Sequence, residues 1–222
     1  MGTSAFIGVL ILAAAASTAH AEGFALGAGA GTMGLGVQGV VGIGDRMSLR
    51  AGGNALAYSY DYRVRRVEYD AKVRMASVPV VLDWFFSPGG DLRITGGLYG
   101  NFDKQELEAR PQSGVYVIGN NTYGANEIGR ISASVKYRSI APYIGAGWGN
   151  AVAKGKSWSW NVDVGILYIG KPKTTYTVIC GTVQTNCARL QGDTVIEAAA
   201  FDDDRKEERI GGVAQFWVGK RF

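Results

Sequence analysis

The sequence predicts an all-β protein: an eight-stranded antiparallel transmembrane β-barrel, wound as an up-and-down meander with both termini periplasmic. Three observations carry this. Segments of about ten residues alternate apolar and polar side chains, the period of a strand whose two faces meet different surroundings. No apolar run approaches the roughly 20 residues of a membrane helix, whereas 33 glycines, 11 tyrosines and five tryptophans suit twisted strands flanked by aromatic girdles. The last stretch sets Phe222, Val218, Phe216 and Ala214 on one face against Gln215, Trp217, Gly219 and Arg221, as a closing strand would.

Residues 1–21 read as a signal peptide. Residues 6–16 form an apolar run too short to span a bilayer as a helix, and Ala19-His20-Ala21 is an A-x-A cleavage site before Glu22. Residues 22–222 then form one barrel domain. Residues 1–21 hold no Lys, Arg, Asp or Glu, so the net charge stays +4 after cleavage. Charges of both signs are interleaved along the chain, which argues against a nucleic-acid partner.

Two short glycine-rich strands, 23–31 and 35–43, come first, joined by a turn at 32–34. After a turn at 44–46, Met47, Leu49, Ala51, Gly53 and Ala55 oppose Ser48, Arg50, Gly52 and Asn54. An arginine-rich tip (Arg63, Arg65, Arg66) turns the chain over. Val67, Tyr69, Ala71, Val73 and Met75 then oppose Glu68, Asp70, Lys72, Arg74 and Ala76. Keeping the apolar side toward lipid demands a phase slip near Pro79, after which Val80, Leu82 and Trp84 face out and Asp83 faces in. A proline there fits a bulge or an edge.

Beyond a turn at 87–91, Leu92, Ile94, Leu98 and Phe102 oppose Arg93, Thr95, Tyr99, Asn101 and Asp103. Residues 104–128 read as a long polar loop. In the strand at 129–150, Ile131, Ala133, Val135 and Tyr137 oppose Arg130, Ser132, Ser134, Lys136 and Arg138, and the phase is ambiguous near Pro142. A turn at 151–156 leads to Trp158, Trp160, Val162, Val164, Ile166 and Tyr168, opposite Ser159, Asn161, Asp163 and Gly165, with continuation to 178. A second loop, 180–207, holds both cysteines, and an alternative reading makes 194–209 a short helix over the mouth. Strands near twenty residues long would rise roughly 45 Å, so the wall should stand well above an apolar band of about 25 Å.

The stretches GLGVQGVVGIGDRMSLRAGGN (34–54), SVPVVLDWFF (77–86), APYIGAGWGN (141–150) and WNVDVGILYIG (160–170) resemble a proteobacterial family of small outer-membrane barrels, similar in style to the OmpA-type transmembrane domain and the opacity-type surface proteins. Phe216, Val218 and the terminal Phe222 resemble the C-terminal assembly signal of such barrels. The resemblance implies the bacterial outer membrane as location, its lipid and lipopolysaccharide as surroundings, and the barrel-assembly machinery as a partner during biogenesis. It implies no particular activity.

The candidate functional residues are lumen charges: Arg50, Asp83, Arg93, Asp103, Lys136, Arg138, Asp163 and Arg221, with Glu68, Asp70, Lys72 and Arg74 on the same reading. They could line a channel or form a paired plug. Eight strands enclose an interior just wide enough for side chains to fill, and buried charges need partners, so geometry favours the plug. Cys180 and Cys187 suit a disulfide in an oxidising compartment, with a redox-active pair as the alternative. Arg63, Arg65 and Arg66 could grip lipopolysaccharide phosphates, or form a solvated turn.

Catalysis is not expected. The only histidine, His20, leaves with the signal peptide, and no general base or metal ligand set replaces it. Gly29, Gly31 and Gly34 match G-x-G-x-x-G but lack the βαβ context of a dinucleotide site, so no cofactor is expected. The expected function is that of a monomeric, non-catalytic outer-membrane barrel contributing to envelope structure or surface contact. The alternative is a narrow channel for small, even hydrophobic, solutes.

Overall fold

A computed structural model describes residues 21–222, apart from 65–66, 112–113, 119, 184 and 205–208. Thirteen strands and one helix follow one another: β1 (Ala21–Gly31), β2 (Gly34–Ile43), β3 (Met47–Val64), β4 (Val67–Phe85), β5 (Leu92–Asn101), β6 (Lys104–Pro111), β7 (Val115–Ile118), β8 (Asn121–Gly124), β9 (Ile128–Lys136), β10 (Ile140–Trp148), β11 (Trp158–Tyr168), β12 (Lys173–Cys180), α1 (Cys187–Asp204) and β13 (Ile210–Arg221). Eight of these strands close a ring in the order β1-β2-β3-β4-β5-β10-β11-β13. The first and last strands seal it, running antiparallel from Ala25↔Arg221 to Gly31↔Gln215. Closure leaves no unpaired edge around this section, which a lipid environment requires.

The seam depends on a close approach. A Cβ on Gly29 would lie 2.3 Å from the Phe216 carbonyl and 2.5 Å from the Trp217 ring. Glycine there lets Trp217 turn inward, where it is 1% exposed and fills the lumen.

Both termini share one end of the ring with the turns at 44–46, 87–91 and 149–157, and this is called the turn end below. Toward the other, far end, three of the strands break and resume. β5 yields to β6 at 102–103, β10 continues from β9 across 137–139, and β11 yields to β12 at 169–172. β3 and β4 run straight through, so a five-stranded open sheet, β3-β4-β6-β9-β12, rises above the closed ring. Asp103 repairs one break, its Oδ1 accepting the Ala76 N–H at 3.0 Å.

The region read as a polar loop at 104–128 is therefore mostly strand, holding β6 and the β7–β8 hairpin. The loop at 180–207 is mostly helix. α1 starts earlier than the helix read at 194–209, directly at Cys187, whose sulfur is bonded to Cys180 at the end of β12.

No phase slip occurs at Pro79. The β3–β4 register holds from Met47↔Trp84 to Val64↔Val67 without a bulge. Odd residues face inward along the whole described length of β4: Val73, Met75, Ser77, Pro79, Val81, Asp83 and Phe85. What changes is the chemistry on each face. Near the turn end, Val78, Val80, Leu82 and Trp84 point outward and are exposed, whereas farther up the exposed outward residues are Lys72 and Arg74. β9 and β10 repeat the inversion. Ile144 and Trp148 are exposed on the outside of β10, while in β9 the apolar Ala133 and Val135 are buried and Lys136 is outside.

Candidate functional site

The lumen near the turn end holds four buried charges. The register sets Ser48 opposite Asp83, Asp83 opposite Thr95, Arg93 opposite Gly147 and Gly147 opposite Asp163. Four strands, β3, β4, β5 and β11, thus deliver polar side chains to one level, and β10 contributes a glycine between two of them. Gly147 makes the arrangement possible, because a Cβ there would stand 2.6 Å from Asp163 Oδ1 and 2.8 Å from Arg93 Cζ. With only hydrogen at that point, Arg93 reaches across to Asp163, donating through Nη2 at 2.7 Å.

Arg50 holds both aspartates. Its Nε lies 2.7 Å from Asp83 Oδ2, its Nη2 donates to Asp83 Oδ1 at 2.9 Å, and its Nη1 donates to Asp163 Oδ2 at 2.8 Å. Arg93 Nε lies 3.3 Å from Asp83 Oδ1, and its Nη1 donates to the Gly149 carbonyl. Two hydroxyls complete the shell of Asp83: Thr95 donates at 2.7 Å and Ser48 at 3.0 Å. Two guanidiniums and two carboxylates sum to zero formal charge, and all four residues are buried. Buried ions persist only when paired and hydrogen-bonded in this way.

Above this quartet, Gln215 donates to Asn54 at 3.0 Å and Asn54 to Ser77 at 3.1 Å. Tyr99 and Tyr143 pack with ring centroids 5.1 Å apart, in an apolar cluster with Val81, Leu167, Val213 and Met33 from the β1–β2 turn. The cavity left between the quartet and these rings measures about 10 Å³, lined by Gln38, Arg50, Tyr99, Tyr143, Gln215 and Trp217 among others. That is room for one water at most.

The other lumen candidates lie elsewhere. Lys136 and Arg138 are exposed at the far end, outside the wall, and take no part in the quartet; Lys72 and Arg74 correct in the same way. The cause is the inversion of face chemistry, which puts polar residues on the outside at this end. Asp103 is half-buried at the strand break, and Arg221 is near the turn-end rim, donating to the Ala153 carbonyl at 3.2 Å. The side chains of Arg63, Glu68 and Asp70 are not described, and Arg65 and Arg66 lie outside the described residues. Phe216, Val218 and Phe222 are exposed on the outward face of the closing strand and at its end.

Sequence reasoning missed the hydroxyls of Ser48 and Thr95 and the tyrosine pair. Parity offered the signal, since Thr95 and Tyr99 alternate in step with Arg93.

A second cluster sits at the far end. Ile118, Tyr123, Ile128, Val178 and Leu190 form a small core joining the β7–β8 hairpin, β9, β12 and α1. Asp193 on α1 accepts from Tyr123 Oη at 2.6 Å and Asn121 Nδ2 at 2.7 Å. Glu127 accepts from the Gly124 N–H and from Asn186 Nδ2, each at 2.7 Å. The Tyr123 hydroxyl and the Asn121 amide hold the Asp193 carboxyl below its ordinary range, and the Gly124 N–H and Asn186 do the same for Glu127. Burial and the neighbouring Asp193 push Tyr123 up to about 12.

Among the described residues, no cluster of three or more His, Cys, Asp or Glu side chains is placed to hold a metal. No protein-family model matches the chain, and no curated protein matches it either. Solved structures do. CarO2 of Acinetobacter baumannii is similar at a TM-score of 0.59 and 19% identity, over 90% of this chain and 98% of that one. CarO of the same organism gives 0.57 and 20%, over 91% and 98%. At such identity the likeness is one of fold. The fold is an all-β, closed, eight-stranded antiparallel barrel carrying, among the described residues, one helix.

Proposed function

We propose that the protein is a non-catalytic bacterial outer-membrane barrel, closed to bulk solute flow, that serves envelope structure or surface contact through its far-end cap. One observation carries the reading: a neutral Arg–Asp quartet fills the lumen and leaves about 10 Å³ beside it. The outward face supports the membrane location. Val164, Ile144 and Leu98 are 60%, 63% and 52% exposed, a distribution that lipid tolerates and water penalises. The belt along β11 is 11 residues long. At ~3.3 Å per residue and ~45° tilt this rises about 25 Å, the height of an outer-membrane apolar band.

In this reading residues 1–21 direct export, residues 22–222 form the barrel, and both termini lie in the periplasm beside the short turns. The far-end sheet and α1 then face outward. Arg63, Arg65 and Arg66, at the β3–β4 tip, meet lipopolysaccharide phosphates. The barrel-assembly machinery inserts the chain, which works as a monomer. The want of any histidine after residue 20 supports the non-catalytic role.

The second reading, a narrow channel, is favoured by the charge of the constriction, since a purely structural plug could be apolar. Conductance of the purified protein in planar bilayers separates the two. The closed barrel gives a flat baseline. Discrete, reproducible openings in the unmodified protein would overturn it in favour of the channel.

A further inference from the structure

A cleft of about 290 Å³ opens on the outer wall at the turn end, where β10, β11 and their connection meet. Three tryptophans line it, Trp148, Trp158 and Trp160, and they are 50%, 65% and 56% exposed. At its rim Lys156 Nζ stands 3.8 Å from Asp91 Oδ1, with the two side chains 58% and 33% exposed. The rim itself is tied down. The Gly149 N–H donates to the Asp91 carbonyl at 2.9 Å, and Asn150 Nδ2 donates to the Gly90 carbonyl at 3.2 Å.

Indoles at a membrane interface are ordinary girdle residues, and by themselves they name no ligand. The added feature is one cation and one anion facing a cleft large enough for a headgroup. An ion pair this long and this wet contributes little to stability, so its two ends are free to exchange partners at small cost. Below it the wall offers a dimple. Ala146 lies between the exposed Ile144 and Trp148 on the outward side of β10, with Val164 of β11 and Ile94 of β5 in register on either side. A small side chain ringed by large apolar ones leaves a recess for part of a hydrocarbon chain.

We propose that this cleft is a binding site for one phospholipid bearing an amine-containing zwitterionic headgroup. The lipid phosphate meets the Lys156 ammonium, and the lipid ammonium meets the Asp91 carboxylate and the faces of the indoles. One acyl chain packs against the apolar side chains around Ala146. A lipid with two phosphates and no headgroup amine would set one phosphate against Asp91, so charge matching selects the zwitterion. The proposal rests on the membrane-barrel reading.

The test uses intrinsic tryptophan fluorescence of the full mature chain in phosphatidylcholine-free vesicles, with bromine on the acyl chains of one lipid at a time. Brominated phosphatidylethanolamine should quench at a mole fraction about fivefold lower than brominated phosphatidylglycerol, the scale set by two partly exposed ionic contacts. The double variant Asp91→Asn with Lys156→Gln should bring the two lipids to equality. Lys156→Gln alone should narrow the gap, which keeps the test available if the double variant does not insert. Equal quenching in the unmodified protein, a preference untouched by the variants, or stronger retention of a bisphosphorylated lipid would each overturn the site. Failure of the unmodified chain to enter vesicles at all would overturn the membrane reading beneath it.

Discussion

The closed ring and the open far-end sheet are built from continuous strands, yet they are opposite in chemistry. In the ring, Leu82, Trp84, Ile144 and Val164 are outside and Asp83, Arg93 and Asp163 are inside. In the far-end sheet Lys72, Arg74 and Lys136 are outside, while Val135 and Ala133 are buried. β4 passes from one regime to the other with its register unbroken. The strand does not rotate; on the proposed membrane reading, the solvent outside it changes. Lipid rewards apolar side chains and leaves the polar ones to pair in the lumen, whereas water reverses both preferences.

The two regions also keep their polar groups differently. The ring buries a quartet of ions held together by side chains from four strands. The far end relies on a small apolar core around Leu190, on neutral donors to Asp193 and Glu127, and on the Cys180–Cys187 bond. Breaking one region should therefore feel unlike breaking the other.

The largest effect is expected in the ring. Asp83→Ala leaves Arg50 and Arg93 short of a counter-ion inside the wall, at a cost of about 3–5 kcal/mol. Lys136→Ala, drawn from the same set of charges in the sequence, should stay within about 0.5 kcal/mol. Reversible urea unfolding in detergent or vesicles measures both. Equal losses for the two would erase the distinction between lumen and far-end charges.

A smaller effect, of opposite location, is expected from pH. Asp193 and Glu127 are held below their ordinary values of 3.8 and 4.5. Their contribution to cap docking is thus complete above those values and lost as pH falls through the lower folded ones. Tyr123 is raised from 10.0 to about 12, so its contribution is complete below pH 10 and lost as pH climbs toward 12. Hydrogen-exchange protection of the β7–β8 hairpin should accordingly fade at both extremes and hold between them. A cap whose protection is flat from acid to strong base would show that these contacts do not hold the hairpin down.

The sequence made the ring legible because period-two alternation, glycine turns and outward tryptophans all agree there. Parity puts Ser48, Arg50, Arg93 and Asp163 opposite their strands' apolar faces, and Asp83 opposite Val80, Leu82 and Trp84. Parity does not say which face is inside. At residues 67–76 and 129–138 the same alternation, taken with the apolar side outward, makes Lys72, Arg74, Lys136 and Arg138 lumen residues and demands a slip at Pro79. Nothing local in those segments reports the height at which the bilayer ends. The meeting of Arg50 with Asp163, 113 positions apart, depends on strand register, which alternation leaves open, and that of Tyr123 with Asp193 depends on how α1 packs beside the β7–β8 hairpin.

The most direct measurement is the surroundings of two outward positions in one protein. With the native disulfide intact, single cysteines replacing Val164 and Lys72 are spin-labelled in vesicles and relaxed by oxygen, which partitions into lipid, and by a water-soluble nickel chelate. The account predicts that the label at 164 responds to oxygen and the label at 72 to the chelate. A chelate-accessible label at 164, or an oxygen-favoured label at 72, would contradict it.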